Sequence, residues 1–344
     1  MNPDALLYLL LLAVTLPTGH SMYQDDVKAW PCPNPEELVP CTCYADEDLN
    51  LFVDCQDLPN LETLREVFDE KFPFKKFFRL QVSNSEFSNG SLTKEVFNGF
   101  SFREVIMYDN NLISVDETAF ENSYAELSFF EFSDDMETFP LPADMSDFTE
   151  LHEVVISVNC SSIPDLVSPN VISLSVRCWN EAELKSTTLS FTNLMTLHLH
   201  ASSLTTIDPA SFQKSPNLLT VTLNRNNLDA IVELNFVKLL ELDLSDSCLE
   251  DMPHISGMQE NGVVRISDNH NLKKMNEDNT LELINGNVTI EAEGVSLGCD
   301  CNLQWLLGTN DTDMYLNNVV KVGTDCPIGQ NTDQIRDILN QFCA

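Results

Sequence analysis

Apolar residues recur along this chain as pairs two positions apart, most of them preceded by another apolar residue three positions earlier. The clearest instance is Leu218–Leu228, LLTVTLNRNNL, where Leu218, Val221, Leu223 and Leu228 frame Asn226 in the pattern LxxLxLxxNxL. Leu194–Leu204 repeats it through Leu197 and Leu199 with Ser202 in the Asn place, and Leu239–Leu249 through Leu242 and Leu244 with Ser247 there. Residues two apart share one face of a strand, so each pair predicts a short strand buried on one side. The Asn place predicts a side chain turned inward to satisfy backbone groups where the chain leaves the strand. Ten such pairs succeed one another at intervals of 20 to 25 residues: Leu80/Val82, Val105/Met107, Phe130/Phe132, Val154/Ile156, Leu174/Val176, Leu197/Leu199, Val221/Leu223, Leu242/Leu244, Val264/Ile266 and Val288/Ile290. One unit of this length cannot bury its own apolar face, so neighbours must stack.

This template resembles that of leucine-rich repeat proteins. The resemblance implies an α/β repeat solenoid, a horseshoe of about ten repeats with a parallel sheet on its concave side. The returning segments NLISVDETAF, SLTTIDPASF and LTKEVF place Phe120, Phe212 and Phe97 to pack inward from the convex side. Leu61, Leu64, Val67 and Phe68 have helical spacing, predicting a short helix within Asn60–Phe72.

The termini differ from this array. Residues 1–21 read as a signal peptide: Leu6–Leu16 is an apolar run too short to span a bilayer, followed by PTGHS. Its n-region carries Asp4 and no Lys or Arg. An acidic leader, a cysteine-bearing cap and the short helix occupy 22–72, the repeats 73–296, and a second cysteine-bearing segment 297–344. Eleven cysteines clustered towards the ends point to an oxidising compartment. No later segment is long or apolar enough for a membrane span, so a secreted, extracellular, soluble chain is expected. The formal net charge of −36 argues against nucleic acid or anionic lipid as partners, leaving solubility or a cationic partner as its role.

Cys32, Cys41, Cys43 and Cys55 resemble the N-terminal cap of extracellular leucine-rich repeat proteins, and Cys299, Cys301, Cys326 and Cys343 the C-terminal cap. By that resemblance the pairs are Cys32–Cys43, Cys41–Cys55, Cys299–Cys326 and Cys301–Cys343. Cys41-Thr42-Cys43 lacks the CxxC spacing that zinc favours. Of the remaining three, Cys160 and Cys178 come after adjacent strands, which allows a bridge between them. Cys248, beside Leu249, is expected to be buried, with a link to another chain as the alternative.

Four sequons occur, at Asn89, Asn159, Asn287 and Asn310. Asn159 falls in the inward template place and is the poorest glycosylation candidate; Asn89 and Asn310 are the best, with Asn287 between. No GxSxG, HExxH, phosphate-cradling loop or EF-hand pattern occurs, so no catalytic residue and no cofactor are expected. His198 and His200 share one side of a strand and offer two metal ligands without an evident third, which reads better as polar residues on an exposed sheet face. The concave face is the expected binding surface. Its outward positions are Ile106, Tyr108, Phe129, Val155 and Val158, an apolar and aromatic group suited to a protein partner, then His198, His200, Arg225, Asp243 and Arg265.

From Trp30 onward, CPNPEELVPCTC, the spacing to Cys55, FPFKKFFRLQVSNS and the closing CDCNLQWL together resemble a narrower group. These are the non-catalytic leucine-rich repeat subunits of decapod shrimp luciferases (luciferin 2-monooxygenases) and related secreted arthropod proteins. The resemblance implies a non-enzymatic accessory subunit that holds or stabilises a small catalytic luciferase subunit, itself the oxidiser of an imidazopyrazinone luciferin, in a hetero-oligomer. The alternative is an extracellular recognition, adhesion or innate-immune protein with no link to bioluminescence. A third reading, a metal-dependent enzyme, would rest on His198 and His200.

Overall fold

A computed structural model describes residues 31–295, apart from 70–71, 89, 161, 179, 181–182, 201, 230 and 273–274, together with a short strand at 319–320. The expected signal peptide, Asn89, Asn310 and the second cysteine segment with Cys299, Cys301, Cys326 and Cys343 lie outside the described residues.

The apolar pairs form one continuous sheet. It opens with β1 (Cys41–Ala45) antiparallel to β2 (Leu51–Gln56). Ten parallel strands then come in chain order: β3 (Lys76–Ser83), β4 (Ser101–Tyr108), β5 (Phe129–Asp134), β6 (Glu153–Val158), β7 (Ser173–Cys178), β8 (Thr196–His198), β9 (Thr220–Thr222), β10 (Glu233–Asp243), β11 (His254–Arg265) and β12 (Thr289–Glu291). A last strand, β13 (Val319–Val320), pairs with β12. This is a leucine-rich repeat solenoid. Behind the sheet the chain returns through turns and two- or three-residue strands such as Leu166–Ser168 beside Leu189–Phe191. In β10 and β11 the returning segment runs directly into the sheet strand through register shifts. There Gly257 adopts φ +79°, and a Cβ would stand 2.0 Å from the Phe236 carbonyl oxygen.

Each cap element has a local cause. Asn60 caps the short helix α1 (Leu61–Val67), its Oδ1 accepting from the Thr63 N–H at 2.9 Å. Disulfides join Cys32 to Cys43 and Cys41 to Cys55, the second across directly opposed residues of β1 and β2. The hairpin thereby covers the apolar end of the stack, where an open parallel edge would otherwise lie. Phe97, Phe120 and Phe212 are buried, and Phe68 sits at the centre of a ring cluster with Phe77, Phe97, Phe100 and Phe102.

The strand exits are held by inward polar side chains. Asn226 Nδ2 donates to the carbonyls of Leu199 (2.7 Å) and Leu223 (2.8 Å), and its Oδ1 accepts from the N–H groups of Ser202 and Leu204. Asn269 repeats this one level on, bonding Leu244, Ile266, Ser247 and Leu249. Ser202 and Ser247 fill the same place with a shorter reach; Ser247 Oγ donates to the Leu223 carbonyl at 3.0 Å. All four are buried.

The three middle strands depart from the template. β5, β6 and β7 run two residues further before turning, so Asp134, Val158 and Cys178 point inward at the second residue after the central pair. The expected concave position of Val158 is therefore corrected: it is 0% exposed and part of the core. Strand alternation simply continues past Ile156, which also swings Asn159 out of the inward place assigned to it. Asn159 is partly exposed and donates to the Asp135 carboxylate, while Cys160 is buried and disulfide-bonded to Cys178. Asp134 takes over the Asn role, its Oδ2 accepting from the N–H groups of Asn110 (3.1 Å) and Leu112 (3.4 Å).

Burial holds the Asp134 carboxyl above the ordinary Asp range, against the downward pull of the backbone N–H groups it accepts from. Between the unfolded and the raised folded value the folded chain keeps the proton more tightly, so Asp134 lowers stability as pH rises through that window. Asp134→Asn should therefore be at least as stable as the native chain at neutral pH, with the difference closing in acid below the ordinary Asp range. Denaturant melts at several pH values check this. Asn226→Ala removes four hydrogen bonds of a buried turn and should lose stability by about 1–3 kcal/mol or more in the same melts, because the partners it leaves cannot reach water.

Candidate functional site

Parallel register lines the outward side chains up in rows across the concave face. The central row runs Gln81, Ile106, Glu131, Val155, Ser175, His198, Thr222, Asp243, Arg265 and Glu291. Ile106 and Val155 are thus separated by Glu131, Tyr108 lies beside Ser133, and Phe129 lies between Glu104 and Glu153. All four apolar residues are partly buried. The structure does not gather them into a continuous apolar patch among the described residues. The face alternates ring or aliphatic groups with carboxylates and hydroxyls, a pattern that favours a partner able to form hydrogen bonds as well as apolar contacts.

The centre and C-terminal half are more polar. His198 and His200 lie on one side, both partly buried. Burial first, then the charges of Arg177, His198 and Arg225, lowers the His200 pKa, so its ring is held neutral at physiological pH. Among the described residues no three His, Cys, Asp or Glu side chains are grouped to hold a metal ion, and cations rather than a third ligand surround His200. Further along, the Arg265 guanidinium bridges Glu241 and Glu291, the latter at 2.8 Å. Asp243 Oδ1 accepts from its own turn at Ser245 and Oδ2 from Asn224, which leaves it a structural as well as a surface role. Arg225 is exposed at φ 58° and reaches Asp246 at 4.0 Å.

One surface escaped the sequence reading. The residue just before each strand's first outward position lies on the rim where the chain enters the sheet. There backbone N–H groups pass from repeat to repeat: Met195 to Ile172, Leu219 to Met195, Leu240 to Leu219. Their side chains form a row of apolar groups, with Ile172 39%, Met195 41% and Leu240 44% exposed. Below it Asn170, Asn193 and Asn217 each donate to a carbonyl of the preceding repeat, at 3.1, 2.7 and 2.7 Å. Ile172, Met195 and Leu219 of the row, with the three asparagines, bound a groove of about 310 Å³. The signal was present at the second place of the template, which neither the apolar pairs nor the Asn place samples.

Cys248 also differs from expectation. It is exposed, at φ 59°, rather than buried. The inward places on either side are taken by Ser247 and Leu249, so the turn directs Cys248 to solvent. Asn287 is exposed, with its side-chain amide donating to Asn261 Oδ1 at 2.6 Å.

These features define a leucine-rich repeat fold with a mixed polar and apolar concave face. In agreement, residues 192–249 match the family model described as leucine rich repeat. Over 290 residues, 80% of this chain and 79% of the relative, it is 23% identical to the Oplophorus-luciferin 2-monooxygenase non-catalytic subunit of Oplophorus gracilirostris. No helix among the described residues is long and apolar enough to cross a membrane. The disulfides are those expected of an extracellular chain.

Among the described residues Cys248 is the free, exposed thiol, whereas Cys160 and Cys178 are bonded to each other. Alkylation of the native, unreduced protein followed by peptide mapping should modify Cys248 and spare Cys160 and Cys178. An unmodified Cys248 would contradict its outward placement.

Proposed function

We propose that this chain is a secreted, non-enzymatic scaffold that binds a partner protein on its concave face and stabilises it. We further propose that the partner is a small catalytic subunit of the luciferin monooxygenase type. The observation that carries this reading is likeness to a non-catalytic subunit across four fifths of the chain, spanning repeats and cap alike rather than the repeat template alone. The concave rows support it. Ile106, Tyr108, Phe129 and Val155 supply ring and aliphatic contact, and Ser133, Ser175, Thr222 and His198 supply donors and acceptors on the same sheet. No side chain is assigned a catalytic role. His198 and His200 act as hydrogen-bonding groups towards the partner.

Affinity capture tests this. Glycosylated protein is offered to secretory tissue or fluid of its source, and the retained material is identified by mass spectrometry and assayed for light with an imidazopyrazinone luciferin. A stoichiometric small protein that emits light is the expected result. Paired substitutions at Ile106 and Phe129 to Ser should weaken its capture by roughly tenfold or more, as loss of interface anchors does. Retention of only glycans, pathogen components or cell-surface proteins would replace this reading with an extracellular recognition role.

A further inference from the structure

At the N-terminal end the chain builds a second groove, of about 480 Å³, whose chemistry is opposite to that of the rest of the molecule. Leu49, Phe74 and Phe78 form apolar walls, and Leu49 and Phe74 are exposed by 68% and 44%. Lys75, Lys76 and Arg103 also line it, against a single carboxylate, Glu126. Glu126 is engaged by Lys76 and by the Ser101 hydroxyl. The Arg103 guanidinium lies over the Phe78 ring at 5.4 Å and has no carboxylate partner among the described residues. Lys75 Nζ donates to the Asn98 carbonyl at 2.8 Å, lies over the Phe100 ring at 5.4 Å and likewise has no carboxylate partner there. In a chain of net charge −36, these two cations, together with Lys76, give one groove an excess of positive charge beside aromatic rings.

The ring stack continues outward. Phe78 packs on Phe52 (5.2 Å between centroids), Phe52 stacks in parallel on Tyr44 at 4.7 Å, and Arg79 lies over Phe52 while paired with Glu104. The Phe78 wall is therefore held in place by packing. A planar ring lodged between the exposed Phe74 and the Phe78 side chain would have its acidic group beside Arg103 and Lys75, which line the same groove. The size is that of a small-molecule site.

We propose that this groove binds a small planar aromatic anion, an aryl sulfonate, sulfate or carboxylate, with Phe74 and Phe78 holding the ring and Lys75 and Arg103 the acid. The site is separate from the concave face and does not depend on the partner reading; either can fail alone. Fluorescence titration of the full secreted chain with 8-anilinonaphthalene-1-sulfonate tests it, beside N-phenyl-1-naphthylamine, which has the same rings and no sulfonate. One saturable site for the sulfonate is expected, with the neutral probe weaker by roughly tenfold, the value of a charge-assisted contact. Added salt should weaken only the sulfonate. The double variant Lys75→Gln/Arg103→Gln should weaken the sulfonate by a similar factor and leave the neutral probe unchanged, whereas Phe74→Ser should weaken both. All these side chains are exposed, so unchanged melting curves verify the fold. The proposal is overturned by absence of saturable binding, by equal affinity for the two probes, or by a double variant that binds the sulfonate as the native chain does.

Discussion

Everything in this structure depends on satisfying the backbone at the point where each strand leaves the sheet. The turn is buried beneath the next repeat, so its N–H and C=O groups cannot reach water, and each left unpaired costs about 1–3 kcal/mol. Asn226 and Asn269 solve this with one amide that donates twice and accepts twice. Ser202 and Ser247 between them do it with a hydroxyl. Hydrophobic burial drives the stacking, but these side chains fix its register: a repeat slipped by one residue would bring an aliphatic group to the place where two N–H groups wait.

The middle of the array relaxes that rule. Where β5, β6 and β7 run on by two residues, a carboxylate, a valine and a half-cystine occupy the inward place, and the Cys160–Cys178 bridge ties two repeats covalently. The outward consequence is a concave face in which the two flanks differ. On the N-terminal side, rings and aliphatic groups alternate with Glu104, Glu131 and Glu153; on the C-terminal side, Arg265 is clamped between two glutamates. A partner lying across both flanks would meet an asymmetric surface, and one orientation would be preferred over its reverse.

The solenoid was legible because each sheet strand carries its own apolar pair, and pairs at near-constant spacing admit few other folds. The details that escaped are local. A strand that runs on keeps the same alternation as one that turns, so Val158 could not be told from an outward residue, nor Asn159 from an inward one. The role of Asp134 is not marked in the sequence, because nothing nearby in the chain reveals that Asn110 and Leu112, a repeat away, aim their N–H groups at it. The expected apolar patch failed for a similar reason: Ile106 and Val155 hold the same place in their repeats, yet they are not on adjacent strands, and Glu131 intervenes. Cys248 was misplaced because its neighbours Ser247 and Leu249 face inward, and alternation puts the residue between them outside.

The inward side chains also give the array a direction. Asn226 completes the turn of the repeat before it, as Asn269 and Asp134 do, so these turns are finished by residues synthesised after them. At the front, the β1–β2 hairpin and its two disulfides seal the stack without any help from the later repeats. A chain emerging from the ribosome can therefore assemble in order, each new repeat closing the one already laid down.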